Sequence, residues 1–505
     1  MAQPEHAEPR RGLPLGLILA GALGLLLGAA AGPQTLLIAC VVFVALCIVA
    51  VRDSAVPVFT WPNALMTLVV VIWLVPIRLY TLPIDLPFNL EFYRLFLLVL
   101  ILAWAAAGMA GRETVNTVGH GRPVALLAVG AIVTQIVYLQ ELPGGPLEVE
   151  AIKTLSYFLS FVLVFLLFAS MVKDFGEIER VLRTLVIGAM VVALAALWES
   201  RTNHNLFSEL DRWLPLEREL REVDQMRGGR LRVFASAQHP IALGCALVLT
   251  VPLALYLAQN AVTAARRRFW LAATVVIGTG ALTTISRTTV MMIAAMAVVG
   301  LMLRAHLLVR FWPLLIVLPF VVHFVAPGAL GGLYKSFFPK EGLVTNLEGR
   351  AGQGGSGRFA DIGPGLDLWA ESPVVGKGLG SLAAPQDVGP SARGEGRAGA
   401  TIHDTELIFD NQYLNTIVTM GVIGIVGAIW FIWGAAVKLG SAARETRGPP
   451  GDLIAACSVS CAGFGASLIF FDAFAFVQAT LVFCIIAAVG LRLRELTQRP
   501  ETAPA

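Results

Sequence analysis

The stretch from Thr154 to Val172 reads TLSYFLSFVLVFLLFASMV and contains no charged side chain. An apolar run of about 17–25 residues is long enough to cross the hydrocarbon core of a bilayer as a helix. Similar runs recur along the 505 residues, of which 57% are hydrophobic and only 14% charged. Because these runs lack the period-2 alternation of transmembrane strands, they predict an all-α polytopic integral membrane protein.

We predict about 14 transmembrane helices (12–14), with one large extracytoplasmic loop between the eleventh and the twelfth. The predicted organisation is an N-terminal tail (1–12), eleven helices (13–326), the large loop (327–412), three helices (413–491) and a C-terminal tail (492–505). The candidate spans are residues 13–32, 35–51, 61–79, 95–110, 124–140, 154–172, 182–198, 239–259, 269–285, 288–304, 311–327, 413–438, 452–470 and 474–491.

The distribution of lysine and arginine predicts the orientation of these spans. Short basic loops stay in the cytoplasm, and Arg10 with Arg11, Arg266–Arg268 and Arg492 all fall on one side of the predicted topology. We therefore expect a multi-pass protein of the cytoplasmic (inner) membrane with both termini in the cytoplasm and a retained signal-anchor. The 327–412 loop and the residues around Ser286 then lie on the outer face.

The first motif is a short polar turn between two apolar runs, in which residues 283–289 read TTISRTT. The structural interpretation is an arginine that extends to the membrane surface at a helix start, with Ser286 as the N-cap. The functional interpretation is an anion site, because the Arg287 guanidinium offers a planar set of donors suited to phosphate. An arginine at a helix N-terminus opposes the helix dipole, which favours the functional interpretation.

The second motif lies in the large loop and contains Gly357-Arg358, followed by a stretch that ends in the repeat Gly376-Lys377-Gly378-Leu379-Gly380. Residues 359–370 predict an amphipathic helix with Leu366 and Trp369 on the membrane. The glycine repeat predicts a flexible turn with exposed amides. It is not a nucleotide-binding motif, because no βαβ context surrounds it.

The third motif closes the large loop, with His403 upstream of the sequence Asp410-Asn411-Gln412-Tyr413. Asp410 and Asn411 are both good N-caps for the span that follows, and this is the structural interpretation. The functional interpretation is a general base beside the membrane, supplied by His403 or by a nearby carboxylate.

Together, and in this order, the motifs resemble the O-antigen ligase and Wzy-type polymerase superfamily over about Arg230 to Asp472. One departure is that Asp410 stands where the family has a histidine, while His403 stands seven residues earlier; either residue fits the role of base. The matching residues are Ser286-Arg287, Gly357-Arg358 with Trp369, Pro373-Val374-Val375-Gly376-Lys377-Gly378, Asp410-Asn411-Gln412-Tyr413-Leu414 with Gly421–Gly424, and the upstream segments Arg232-Val233-Phe234 and His239-Pro240-Ile241-Ala242-Leu243-Gly244.

The resemblance implies glycan transfer or polymerisation from a polyprenyl-pyrophosphate-linked donor to a hydroxyl-bearing glycan or lipid acceptor at the bilayer. It implies an inverting reaction on the outer face, in cell-surface or exopolysaccharide assembly, without metal, cofactor or nucleic acid. The implied roles are catalysis by His403, Asp410, Arg287 and Arg358, pyrophosphate binding by Arg287, Arg358 and Arg232, and support from Asp472, Asn411 and Tyr413.

Two other classes of protein compete with this interpretation. A lipid-linked oligosaccharide flippase or another polysaccharide transporter would be expected to show internal repeats and ionisable residues at mid-membrane. A sensor or scaffold would be expected to carry an independently folded soluble domain. The sequence shows no repeat, and its large loop is rich in glycine, so a transferase is favoured. The sequence does not identify the acceptor, so polymerase and ligase both remain open, and the Ala/Gly/Arg-rich composition slightly favours a polymer-forming role.

Overall fold

The computed structural model is almost entirely helical and describes residues 12–14, 42, 58–82, 90–141, 146–214, 216–218, 226–227, 230–338, 361–383 and 409–498. Its α-helices are α1 Trp61–Leu74, α2 Phe92–Met109, α3 Gly121–Glu141, α4 Pro146–Met171, α5 Phe175–Thr202, α6 Pro240–Gln259, α7 Ala264–Thr283, α8 Arg287–Arg310, α9 Trp312–Val325, α10 Ala329–Phe337, α11 Ile362–Glu371, α12 Gln412–Glu445, α13 Gly448–Ser467 and α14 Val477–Gln498.

Strand structure is limited to three short antiparallel pairs within the described residues. Strand β1 (Gly12–Pro14) pairs with β2 (Val58–Thr60), and β3 (Tyr80–Thr81) pairs with β4 (Glu217–Arg218). Strand β5 (Met226–Arg227) pairs with β6 (Arg230–Leu231). The prediction of an all-α class is confirmed at this level. Leu13 and Pro14, expected at the start of the first span, lie in β1 instead.

In the described part of the chain, eight helices are long and apolar enough to cross a membrane. A ninth is obtained if α9 and α10, which meet at a bend of 112°, are counted as one broken span. The chain is therefore a multi-pass membrane protein. The count of fourteen spans stays a prediction, because the expected spans at 13–32 and 35–51 fall almost wholly outside the described residues.

Helices α14 and α6 form the centre of the bundle. Every residue of α14 from Val477 to Leu493 is buried, and α6 is buried over most of its length. Helix α14 packs against α4, α6 and α13, and α12 packs against α13 and α3. Helices that are apolar all round are expected at the interior of a bundle. The surrounding helices pack against these two central helices.

Small residues allow α3 and α12 to approach closely. Gly130 lies opposite Gly424, and a methyl group added at Gly427 would stand 3.0 Å from the backbone of Leu127. Contacts of this kind let two helix backbones pack without intervening side chains, as is common between membrane helices. The pairing holds α12 against α3 at Gly424 and Gly427.

Helix α12 is broken at Gly421, whose φ of 61° and ψ of −161° are not helical. The break leaves the carbonyls of Val418 and Thr419 without their helical partners, and these accept from the amides of Lys377 (2.9 Å) and Gly378 (2.9 Å). In return, the carbonyls of residues 373 and 374 accept from the amides of residues 422 and 423, at 2.9 and 3.4 Å.

The expectation of a flexible glycine turn with exposed amides is therefore wrong. The turn is docked in the break of α12, and its amides are bonded there because an interrupted helix in apolar surroundings must have its backbone groups satisfied. Gly376 has a φ of +73°, and a methyl group on it would stand 2.4 Å from the backbone of Met420. Glycine is thus needed at this position for both its conformation and its lack of volume.

Helix α11 confirms the predicted amphipathic helix, whereas the contact of Leu366 and Trp369 with the membrane stays a prediction. Leu368 is buried with Leu414 and Val418 in a small cluster on α12, whereas Leu366 is exposed. Trp369 is partly buried against this cluster, and its Nε1 donates to the carbonyl of residue 373 at 3.0 Å. The helix therefore helps to hold the docked turn against α12.

We expect Gly376→Ala and Gly421→Ala each to lower the free energy of unfolding by at least about 1–3 kcal/mol, because each replacement combines a left-handed backbone with a backbone clash. A methyl group on Gly421 would stand 2.3 Å from the carbonyl oxygen of Val374. The measurement is the midpoint of thermal unfolding in detergent.

Gly363→Ala is the matched control for these two variants. Gly363 lies in α11 with nothing within 4 Å of its added methyl group apart from its chain neighbours. The gain in helix propensity is offset because a side chain before Pro364 disfavours the helical conformation, so the replacement should change the free energy of unfolding by less than about 1 kcal/mol. Equal effects of Gly363→Ala and Gly376→Ala would contradict the docking of the turn.

Candidate functional site

A polar cavity of about 600 Å³ opens where the N-terminal ends of α4, α6 and α12 meet the segment between α13 and α14. Three of the residues predicted from sequence line it: Arg232, Asp410 and Asp472. The turn docked in α12 contributes Leu379 and Gly380 to the same wall. The charged and polar side chains that line the cavity are Arg78, Glu150, Thr154, Tyr157, Arg232, Gln238, His239, Asp410, Gln412, Asn415, Thr416, Thr419 and Asp472.

A second cavity of about 280 Å³ lies between α6, α7, α8 and α13 and is almost wholly apolar. Its charged lining residues, Arg304 and Asp452, form an ion pair with each other at 2.9 Å. The polar cavity is therefore the better candidate for chemistry, because it combines arginines with carboxylates around an open volume.

Arg232 is held at the cavity by its own backbone and by the turn that carries Arg287. Its Nε donates to the carbonyl of Thr284 at 3.0 Å. The buried carboxylate of Glu199 accepts from the amides of Phe234 (3.1 Å) and Ala235 (2.8 Å). Ala235 has a φ of 45°, in the left-handed region, so the glutamate holds a strained segment directly after the arginine.

The turn before α8 is buried and strained. Ile285 has a φ of 47°, which is an outlier for a β-branched residue, and Arg287 is only 8% exposed. The Ser286 hydroxyl is buried and makes no hydrogen bond within the described residues. The structural interpretation of Ser286 as a capping residue is therefore wrong, and strain next to an arginine is a feature of functional sites.

Asp472 is partly buried in the segment between α13 and α14 and lines the cavity together with Asp410. Burial raises the pKa of the Asp472 carboxyl to about 6, and the charge of Asp410 adds to the increase. The amide of Ala475, the charge of Arg78 and a 2.9 Å bond from Asn415 Nδ2 act in the opposite direction. Two carboxyls that share one site resist simultaneous ionisation, so this pair is suited to holding a proton.

Asn411 and Asp410 were both predicted as possible helix caps, but only Asn411 caps α12. Asn411 is the N-cap of α12, since its Oδ1 accepts from the amides of Tyr413 (3.0 Å) and Leu414 (3.2 Å). Asp410 instead lines the cavity. The Tyr413 hydroxyl donates to the carbonyl of Gly465 at 2.8 Å, so Asn411 and Tyr413 stabilise the end of α12 rather than line the cavity.

His239 lines the cavity and was not found from the sequence as a site residue. Its ring stacks on Phe476 at 5.0 Å, and its Nδ1 accepts from the amide of Ile241 at 3.1 Å as the N-cap of α6. A neutral imidazole that accepts at Nδ1 carries its proton on Nε2. His239 is thus a hydrogen-bond donor at this site, and the sequence signal that places it there is the histidine directly before Pro240.

Of the predicted catalytic arginines, Arg287 is described by the structure and does not line the cavity. Arg287 lies behind it, connected through the bond between Arg232 and Thr284. Arg358 and His403 fall outside the described residues, so their roles stay predictions. Arg78 and Tyr157 line the cavity but carry no sequence motif, because they come from the turn after α1 and from α4, far from the polar loop.

Residues 271–429 match the O-Antigen ligase family (Wzy_C). This confirms the resemblance drawn from the motifs, since the matching region contains Ser286-Arg287, the large loop and the start of α12. The match covers fewer than half of the 505 residues, and it ends before Asp472 and begins after Arg232. A comparison with curated proteins gives no match.

The O-antigen ligase match and the polar cavity coincide in space. The match contributes Asp410 and the docked turn, whereas Arg78, Arg232 and Asp472 come from outside it. The chain is therefore a membrane protein with a domain of the glycan-transferring O-antigen ligase type, whose cavity is completed by helices on both sides of that domain.

The raised pKa of Asp472 predicts a dependence of stability on pH. A carboxyl whose pKa is higher in the folded state (about 6 against 3.8) contributes stability below about pH 4, and this contribution is lost as the pH rises through 6. Because Asp472→Asn does not titrate, the variant should gain stability relative to the wild type between pH 4 and 7, by up to about 3 kcal/mol.

The measurement is the midpoint of thermal unfolding of both proteins in the same detergent at each pH. A stability difference that stays constant over this range would contradict the assignment of a raised pKa to Asp472.

Proposed function

We propose that this protein transfers or polymerises glycan from a polyprenyl-pyrophosphate-linked donor, such as an undecaprenyl pyrophosphate, at the outer face of the cytoplasmic membrane. The acceptor is a hydroxyl-bearing glycan or lipid, and the product belongs to the cell envelope or to an exopolysaccharide. The observation that carries the proposal is the convergence of Arg232, Asp410 and Asp472 on one cavity beside the buried Ser286-Arg287 turn of the O-antigen ligase match.

The cavity contains positive and negative side chains, which suit the diphosphate leaving group and the attacking hydroxyl respectively. Arginine binds diphosphate oxygens through paired N–H donors, and Arg232 with Arg287 provides guanidinium groups on connected segments. Carboxylates accept the proton of an attacking hydroxyl, and Asp410 with Asp472 provides two of them on the cavity wall.

The reaction balances without a further reactant. The acceptor oxygen forms a bond to the anomeric carbon of the donor sugar while the bond from that carbon to the phosphate oxygen breaks. The hydroxyl proton passes to the base, and polyprenyl pyrophosphate leaves with the bonding electron pair. A single displacement of this kind inverts the anomeric configuration.

We assign the role of base to Asp410 in preference to His403. Asp410 lies at the junction of the large loop and α12, and the neighbouring Asn411 caps the helix in its place. The charge of Asp410 contributes to the raised pKa of Asp472. The Asp472 carboxyl can therefore hold a proton in the same cavity in which Asp410 accepts the proton of the attacking hydroxyl. Electrostatic stabilisation of the leaving diphosphate falls to Arg287, Arg358 and Arg232.

Arg287→Ala and Arg358→Ala should each reduce turnover by about 10²-fold or more, because each removes a positive charge from the leaving group. The assay supplies the purified full-length protein with a lipid-pyrophosphate-linked oligosaccharide and follows product length. A ladder of products identifies a polymerase, whereas a single addition to a foreign acceptor identifies a ligase.

The matched control is Arg212→Ala. Arg212 is exposed, pairs with Glu209 at 2.9 Å and does not line the cavity, so its loss should leave turnover close to that of the wild type. Unchanged turnover in both Arg287→Ala and Arg358→Ala would overturn the proposed function.

Asp410→Asn should lower turnover by about 10²–10⁴-fold, the usual contribution of a general base, with little change in the affinity for the donor. His403→Ala should have a smaller effect. Both variants are measured in the same assay across pH, and a loss confined to His403→Ala would transfer the role of base to that histidine.

A further inference from the structure

Arg78 is the second arginine that lines the polar cavity. It follows α1, far in sequence from the O-antigen ligase match, and its backbone has a φ of 65°. The left-handed conformation is uncommon for a residue other than glycine, asparagine or aspartate and costs free energy. An arginine is kept in this conformation only where the surrounding structure holds it.

The buried carboxylate of Glu91 holds the segment. Its Oε1 accepts from the Arg78 backbone amide at 2.9 Å and from the Tyr157 hydroxyl at 2.7 Å. Its Oε2 lies 3.3 Å from Arg94 Nε, and Glu91 is only 1% exposed. A buried carboxylate is costly unless it is paired, and Glu91 is paired through its two hydrogen bonds at Oε1 and its ion pair with Arg94. The bond from the Arg78 amide to Oε1 therefore fixes the backbone of Arg78.

The guanidinium groups of Arg94 and Arg78 have different surroundings. Arg94 stacks on the Tyr157 ring at 3.6 Å and pairs with Glu91, so it is part of the structural network. Arg78 lies 5.5 Å from the same ring, and its Nη1 donates to the carbonyl of Ala475 at 3.3 Å. Within the described residues Arg78 forms no ion pair with a carboxylate, and its remaining donors are at the cavity.

We propose that Arg78 binds an anionic oxygen of the donor diphosphate in the polar cavity, and that Glu91 is the positioning residue that holds it there. This inference rests on the proposed function and adds a binding group from outside the O-antigen ligase match. Arg78 and Arg232 line the same cavity, so a diphosphate there has two guanidinium groups to offset the repulsion from Asp410 and Asp472.

The test is binding of a polyprenyl diphosphate that carries no sugar to the full-length protein in lipid nanodiscs. Arg78→Gln should weaken binding by about tenfold to a hundredfold, as expected for the loss of a charged hydrogen bond. Arg212→Gln is the matched control, because Arg212 is exposed and lies outside the cavity lining. It should bind as the wild type does.

Arg78→Gly separates binding from folding. Glycine adopts the left-handed conformation without strain, so this variant should keep or raise the midpoint of thermal unfolding while it loses affinity as Arg78→Gln does. A lower midpoint together with unchanged affinity would assign Arg78 to the structure alone and overturn the inference.

The role of Glu91 is tested through its dependence on Arg78. Glu91→Ala should weaken binding as much as Arg78→Gln, whereas Glu91→Gln, whose amide oxygen can still accept from Arg78 and Tyr157, should retain most of the affinity. In the Arg78→Gln background, Glu91→Ala should bring no further loss, because coupled residues are not additive. Full additivity would overturn the positioning role.

The outcomes also separate this inference from the proposed function. If the wild type does not bind the diphosphate lipid, the proposed donor is wrong. If the wild type binds it and Arg78→Gln binds equally well, only the inference fails. If Arg78→Gln loses affinity only for donors with an acidic sugar, the anion lies on the glycan, and the assignment to diphosphate is overturned.

Discussion

Every backbone N–H and C=O group within a membrane needs a hydrogen-bond partner from the protein, and the break of α12 at Gly421 is where this requirement shapes the structure. The turn at residues 373–378 supplies two amides to Val418 and Thr419 and takes back two from Val422 and Ile423. The Thr134 hydroxyl adds a further donor to Thr419, at 2.8 Å. The docked turn, α3 and α12 are thereby hydrogen-bonded to one another beside the polar cavity. The segment of α12 before Gly421, which carries Asn415, Thr416 and Thr419 into the cavity, can be short and separately oriented because the turn bonds to the backbone at its end.

A second constraint is the use of buried acids to hold strained backbone. Glu91 accepts from the amide of Arg78, and Glu199 accepts from the amides that follow Arg232. In both places a residue other than glycine lies in the left-handed region, at Arg78 and at Ala235. The free energy of such conformations must be offset elsewhere, and a desolvated carboxylate is a strong acceptor for the amide that the strain presents. Both arginines therefore line the cavity in positions that their local sequence would not adopt alone.

The sequence predicted those features that depend on neighbouring residues. Apolar runs such as 154–172 predicted helices because an apolar segment of that length is sufficient for a span, and Asn411 was recognised as a cap because capping acts over two or three residues. The glycine turn was misinterpreted because its partners lie more than 40 positions away and its amides are satisfied only in the folded chain. Arg78 gave no motif at all, since the carbonyl that it binds is 397 positions distant. Such contacts follow from helix packing, which local patterns do not encode.

Asp410 and Asn411 have different roles, since Asn411 caps α12 and Asp410 lines the cavity. Residue type alone therefore does not show which residues belong to a functional site. Both side chains are good helix caps in isolation, but only one can accept from the amides of residues 413 and 414, and Asn411 occupies that position. An amide is sufficient for capping, whereas the charge of Asp410 helps to raise the pKa of the Asp472 carboxyl in the same cavity. The charged side chain is therefore placed where charge has a chemical consequence, and the neutral one where only a hydrogen bond is required. The order of these two residues at the start of α12 directs a titratable group to the cavity and leaves the helix stable without it.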